Sequence, residues 1–328
     1  MFNSFLISEG PILTNKIAQL INLLFESVGN FGIAVIIFTI ILKVALTPLD
    51  VWQKLSQRKQ SNAMKRIQPQ MAKLQKMYAD RPDLLRAEQQ KLYKSEKISM
   101  FGSFLPLIIT TVIFFVIFAG FNQLVRYQNE KIVWNLYKVY AANPTVSADI
   151  LASQYMSSLE TFRFGWIKNV FMPDSWASII PSFKTYAGSG LGSIAASNSD
   201  INIPNYYDTL VGPAIEQTKK SKFFDFPRWN GYLVFPLLSI VLSFVSTKFL
   251  SGDQPQPIAT DESSAKMQNT SMKLMKYTMP IMMGVFSVFY SSAFSIYIFF
   301  STLYSVILSL IMLLIFKKID NKKLKQGI

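Results

Sequence analysis

The chain contains no cysteine and no histidine. The first absence excludes disulfides, thiolate nucleophiles, cysteine-based metal sites and a lipid-modified N-terminal cysteine. The second removes the commonest metal ligand and, together with the first, the Ser-His and Cys-His forms of active site. Nor does the sequence hold a Walker-type glycine loop, a G-x-G-x-x-G turn, a repeat at a fixed period or paired carboxylates inside an apolar run. Charge is scarce as well: Asp, Glu, Lys and Arg make up 16% of the 328 residues, while 50% are hydrophobic. That balance is too apolar for a soluble domain of this length and indicates an all-α, multi-span membrane protein.

A hydrocarbon core about 30 Å thick takes about 20 helical residues to cross. Apolar segments at 31–50, 101–125 and 229–250 meet that requirement. The run Tyr277–Phe316 carries no charged residue over its 40 positions. As one helix it would reach about 60 Å, twice the core. It is therefore read as two spans, 276–292 and 293–316, turning at Tyr290-Ser291-Ser292-Ala293. Five transmembrane helices result.

The charges fix their orientation. Residues 50–100 hold twelve Lys or Arg against five acids, and the tail 317–328 holds five Lys against one Asp. Both are expected on the cytoplasmic side, with the N-terminus outside and the C-terminus inside. The segment 126–228, with ten basic and eight acidic residues, becomes an extracytoplasmic loop, and 251–275 a cytoplasmic one. Within 51–100, Ile67, Met71, Leu74 and Tyr78 recur at helical steps. Ala79–Asp83 then breaks the pattern, and Asp83 is placed as the N-cap of a second helix ending near Ser95, giving a cytoplasmic helical hairpin. Its basic face is either solvated charge or a docking surface for ribosome, nascent chain or anionic headgroups. Residues 1–30 lack a signal-peptide cleavage pattern, and Ile12, Leu13, Ile17, Leu20, Ile21 and Leu24 predict an extracytoplasmic amphipathic helix. The outer loop includes a flexible linker, Ala187–Ser199.

Lys43 stands out. It lies inside IIFTIILKVALTPLD (36–50), where a lysine costs about 2.5–3.5 kcal/mol on insertion scales. Snorkelling toward the headgroups beyond Asp50 is one account. The other rests on Thr39 and Thr47, one turn to either side, which make a polar stripe with Lys43. Thr110 and Thr111 in the second span, and Tyr297, Ser301, Ser305 and Ser309 in the fifth, offer matching polar faces, which packing through small residues also explains. No Asp or Glu inside the spans neutralises Lys43, so its counter-ion is expected from a bound partner. A small-solute transporter or channel binding an anion at Lys43 fits that charge too, but the chain lacks the internal repeats and glycine-broken helices of many transporters.

Several segments in order resemble one family, the YidC/Oxa-type membrane protein insertases. GNFGIAVIIFTIILKVALTPLDVWQKLSQRKQSNAMKRIQPQMAKLQKMYAD (29–80) is similar to its first core span and cytoplasmic hairpin, with Pro48 and Gln68-Pro69 in place. FLPLIITTVIFF resembles the next span, FGWIKNVFMPD the extracytoplasmic stretch before the third, KLMKYTMPIMMGVF the Met-Pro-Ile-Met motif with Pro280, and SIYIFFSTLYSVI the last span at Tyr297. Lys43 falls where the family usually has arginine, keeping the charge but not the bidentate fork. Thr110-Thr111-Val112 replaces Gln-x-Pro, Ser291-Ser292-Ala293 replaces Pro-x-Gly, Ile298 replaces a tryptophan, and 175–228 carries an insertion. A divergent bacterial member is implied, since no Arg-rich presequence precedes the first span.

The resemblance implies a non-enzymatic insertase and chaperone whose hydrophilic groove opens to cytoplasm and lipid. Its partners would be nascent membrane proteins, the ribosome, a Sec-type translocon and membrane lipids, with no specific nucleic acid and no cofactor or metal. The groove residues would be Lys43 as electrostatic partner, Thr39 and Thr47 as wetting groups, and Thr110, Thr111, Tyr297, Ser301 and Ser305 as wall or slide.

Overall fold

The computed structural model describes residues 11–96, 104–183, 206–220, 222, 224–247, 281–282 and 284–325. Their regular structure is helical: α1 (Lys16–Val28), α2 (Phe31–Met77), α3 (Pro82–Ser95), α4 (Phe104–Ala142), α5 (Ala148–Glu160), α6 (Tyr207–Thr218), α7 (Val234–Val245) and α8 (Ser292–Lys325). The helices α2, α4 and α8 are long and apolar enough to cross a membrane, and α7 is a shorter apolar helix. The linker Ala187–Ser199, the loop 251–275 and Pro280 lie outside the described residues.

Helix boundaries follow local chemistry. The Asn15 side chain accepts from the N–H groups of Ile17 and Ala18, opening α1, and Gly29 closes it at φ 75°, a conformation that favours glycine. The expected boundary at residue 50 falls inside α2, a helix of 47 residues or about 70 Å that contains Pro48 and Pro69. Asp83 is not the N-cap of α3. Arg81 holds that place, and Pro82 starts the helix because its fixed φ suits the first turn, leaving Asp83 to face the positive end of the helix dipole. The second span likewise runs on past residue 125. Gln128 and Asn129 bond Asn22 and the Val125 carbonyl, so polar residues extend α4 until Asn143-Pro144 stops it. The fused apolar run does break where expected: helical residues 284–289 end before Tyr290, and α8 starts at Ser292.

The chain divides into two compact units. Unit 1 comprises residues 1–41, 115–239 and 284–301. There Phe31 sits edge-on to Phe162 and Phe171, and Phe38 and Tyr297 approach Phe121. A Cβ on Gly120 would lie 2.6 Å from Ile17, so glycine permits α1 to press onto α4. After α4 the chain forms a helix pair, with Tyr155 and Leu159 of α5 and Leu210 and Val211 of α6 buried where the two pack.

Beside that pair lies a hub of buried polar groups. The Asn230 side chain, fully buried, accepts from the Asn169 N–H and donates to the carbonyls of Asn169, Met172 and Pro173 at 2.8–3.1 Å. The Asp174 carboxylate accepts from the N–H groups of Tyr232 and Phe235, capping α7, and Leu233 is held at φ 63° by its N–H to the Asp174 carbonyl. The first N–H groups of α8 donate to the carbonyls of Met172 and Val170. One stretch, 169–174, thus caps the starts of two apolar helices. A side chain on Gly231 would collide with Asp174, its Cβ falling 2.0 Å from Oδ1.

Burial raises the Asp174 carboxyl above its ordinary value, outweighing the backbone N–H bonds that favour its charge. The folded state therefore holds this proton more tightly than the unfolded chain does. Its contribution is greatest below the unfolded value, about pH 4, and declines as pH rises through the folded one. The difference in melting midpoint between wild type and Asp174→Asn should widen on acidification across that window; parallel pH profiles would refute the burial effect.

Candidate functional site

Unit 2 comprises residues 42–114, 240–283 and 302–328. Within it, α2 and α8 share a polar seam. The Lys43 side chain, 14% exposed, donates from Nζ to Ser305 Oγ at 3.2 Å and lies 3.7 Å from Asp50 Oδ2. Thr47 donates to the Lys43 carbonyl at 2.8 Å, and its oxygen meets the Tyr304 hydroxyl at 2.6 Å. Because the one Thr47 hydrogen is committed to the carbonyl, Tyr304 supplies the other. One step further, Lys54 donates to Ser309 Oγ at 2.6 Å, while Ser309 donates to the Ser305 carbonyl. Lys54 also feels the charges of Asp50 and Lys43. The seam ends where Arg58 pairs with Asp320 and stacks 4.1 Å above the Phe316 ring.

From Lys43 to Arg58 on α2, the partners advance from Ser305 to Asp320 on α8. The two helices therefore run parallel, and their basic ends lie together. Further along α2, Arg66 pairs with Glu96 at the C-terminal end of α3 at 3.1 Å, which brings α3 back along α2.

Two expectations change. Lys43 has a counter-ion within the chain. At about 100° per residue, Asp50 and Lys54 lie within about 20° of Lys43 around the helix, so the acid counted as a flank shares its face. Asp50, Lys54 and Tyr304 complete the seam with Ser309, which was already visible on the fifth-span face, and the spacing Lys43, Asp50, Lys54 was the signal available to find the two α2 residues. Thr39, for its part, is fully buried in unit 1 and bonds the Val35 carbonyl at 2.6 Å, so it wets no open surface there.

The other candidates divide. Thr47 and Ser305 join Lys43 directly. Thr110 is half-buried and Thr111 exposed on α4 in the same unit. Tyr297 is buried beside Phe121 and Phe294 in unit 1, and Ser301 is half-buried there. No group of three or more acidic side chains fit to hold a metal occurs among the described residues.

The sequence model of one family, described as 60Kd inner membrane protein, matches residues 23–320. The chain belongs to that family. This 60Kd inner membrane protein family member is 31% identical, over 144 residues, to "Membrane protein insertase YidC" of Caldanaerobacter subterraneus subsp. tengcongensis, covering 43% of this chain and 68% of that protein. It is 33% identical over 138 residues to the protein of the same name from Clostridium perfringens, covering 42% and 56%. With the Helicobacter pylori protein of that name the figures are 34% over 116 residues, 35% and 20%. The YidC/Oxa resemblance is thereby shown, and with three long apolar helices this family member is a multi-pass membrane protein.

Proposed function

We propose that the chain is a membrane protein insertase and chaperone, and that the seam around Lys43 is where it meets a client. One observation carries this reading: an ammonium inside an apolar helix is kept solvated by Ser305 and offset by Asp50 rather than buried unpaired. A client's short polar or acidic tail exchanges with Asp50 for Lys43, which lowers the cost of carrying those groups partway across. Thr47, Thr110, Thr111 and Ser305 supply polar wall within this unit. The client's apolar segment then enters lipid. At about 0.3–0.6 kcal/mol per strongly apolar residue, a 20-residue helix releases several kcal/mol, so neither nucleotide nor chemical step is needed.

The proposed topology has five spans, with α2 first, α4 second and α8 last, the N-terminus outside and the C-terminus inside. The parallel run of α2 and α8 supports it, because the first and last of an odd number of spans point the same way. The hairpin of α2 and α3 then faces the cytoplasm, where a ribosome or Sec-type translocon would deliver clients.

Purified chain in sealed liposomes tests the reading. Insertion of an acidic-tailed, single-span client is expected, without anion flux. Selective flux of a small anion with no client insertion would support the transporter or channel reading in its place.

A further inference from the structure

Unit 1 carries a second charged surface, outside its long apolar helices. The loop 163–177 and the connector between α6 and α7 lie against each other. Lys168 donates to the Pro227 carbonyl, Lys220 to the Trp176 carbonyl, and Arg228 to the Lys219 carbonyl. Three cations are thus drawn to one place. Asp225, 3.7 Å from Arg228, acts on Lys168 and Lys220 as well, but among the described residues neither lysine has a carboxylate within ion-pair distance. Burial lowers both lysines, and Arg163 and Lys220 lower Lys168 further, as expected where positive charge exceeds negative.

The same two segments carry exposed aromatic rings. Phe226 is 49% exposed, Tyr232 43% and Trp166 37%. The Trp166 ring sits 5.0 Å from Phe235 in the first turn of α7, and its indole hydrogen bonds to Asp174. Tyr232 lies two residues before α7, whose Leu237 and Leu238 present exposed apolar side chains. Exposed aliphatic groups, exposed rings and cations thus occur together on these segments, which is the composition of a membrane boundary.

We propose that this face docks on the anionic glycerophospholipids of the membrane surface, with Trp166, Phe226 and Tyr232 seated at the headgroup level and Lys168, Lys220 and Arg228 holding phosphates. Positive charge in excess of Asp225 complements such headgroups. An acidic soluble partner would match the cations but leave the rings beside exposed Leu237 and Leu238 unexplained. The surface fixes the depth of α7 and of the Asn230 hub above it, independently of any client.

Native mass spectrometry of the full chain in micelles containing equal phosphatidylglycerol and phosphatidylcholine tests this. Wild type should retain phosphatidylglycerol several-fold over phosphatidylcholine. Lys168→Gln with Lys220→Gln should bring retention close to parity, whereas Lys131→Gln with Lys138→Gln, exposed cations elsewhere in unit 1, should leave it unchanged. The proposal is overturned if the first pair retains the preference, if both pairs lose it equally, or if wild type shows none. Quenching of tryptophan fluorescence by brominated phosphatidylglycerol should fall in Trp166→Phe, a variant that leaves every cation in place. Unchanged quenching, or displacement of lipid by an acidic peptide, would also refute the docking.

Discussion

Asn230→Ala is expected to lower the stability of the folded chain by about 3–5 kcal/mol and its melting midpoint by about 5 °C or more. The reason is the number of groups left without partners. The Asn230 side chain is fully buried, accepts one backbone N–H and donates to three carbonyls of the 169–173 stretch. A methyl group replaces none of these bonds, and the site is closed to water. The Met172 carbonyl also receives the N–H and hydroxyl of Ser292, so loosening this stretch frees the start of α8 as well as that of α7. A change below about 1 kcal/mol would mean that the hub does not hold these helices.

Lys43→Ala should reduce insertion of an acidic-tailed client about tenfold or more, equivalent to about 1.4 kcal/mol. It should also destabilise the fold, because Asp50, 17% exposed, loses its nearest cation. Pairing the substitution with Asp50→Asn separates the two effects. The double variant is expected to recover stability and still fail with acidic tails, since the client has lost its partner. Asp50→Asn alone should insert acidic tails faster than wild type, because the resident competitor is gone. Lys43→Arg should retain most activity, keeping the charge. If Lys43→Ala with Asp50→Asn recovers both stability and insertion, Lys43 serves only the fold.

The all-helical, membrane-protein character of the chain could be read from its composition and hydropathy. The break at Tyr290-Ser291 was legible because 40 uncharged residues cannot form one span, and α8 begins at Ser292. The seam was half legible. Lys43, Thr47 and Ser305 were visible as polar positions in apolar helices, but Asp50 was read as the edge of a span, although seven residues is two helical turns and returns it to the face of Lys43. Thr39 was overread because spacing places a hydroxyl on a face without saying whether it bonds its own backbone. The Asn169–Asn230 hub was not legible at all. Asn169 and Asn230 are 61 residues apart, and their partners are backbone carbonyls, which leave no periodicity and no composition signal. The helix ends were blurred for a related reason: Pro48 lies inside α2 without ending it, and α4 runs on through polar residues such as Arg126 and Glu130, which pair one turn apart.

The most direct measurement places a photoreactive residue at position 305, within reach of an intact Lys43, and presents a ribosome-bound client with an acidic tail. The account predicts a crosslink from 305 to that tail, none from exposed Ile311 on the same helix, and loss of the 305 crosslink when Lys43→Ala is added. Insertion that proceeds with no crosslink at 305, or a crosslink of equal yield without the lysine, would contradict it.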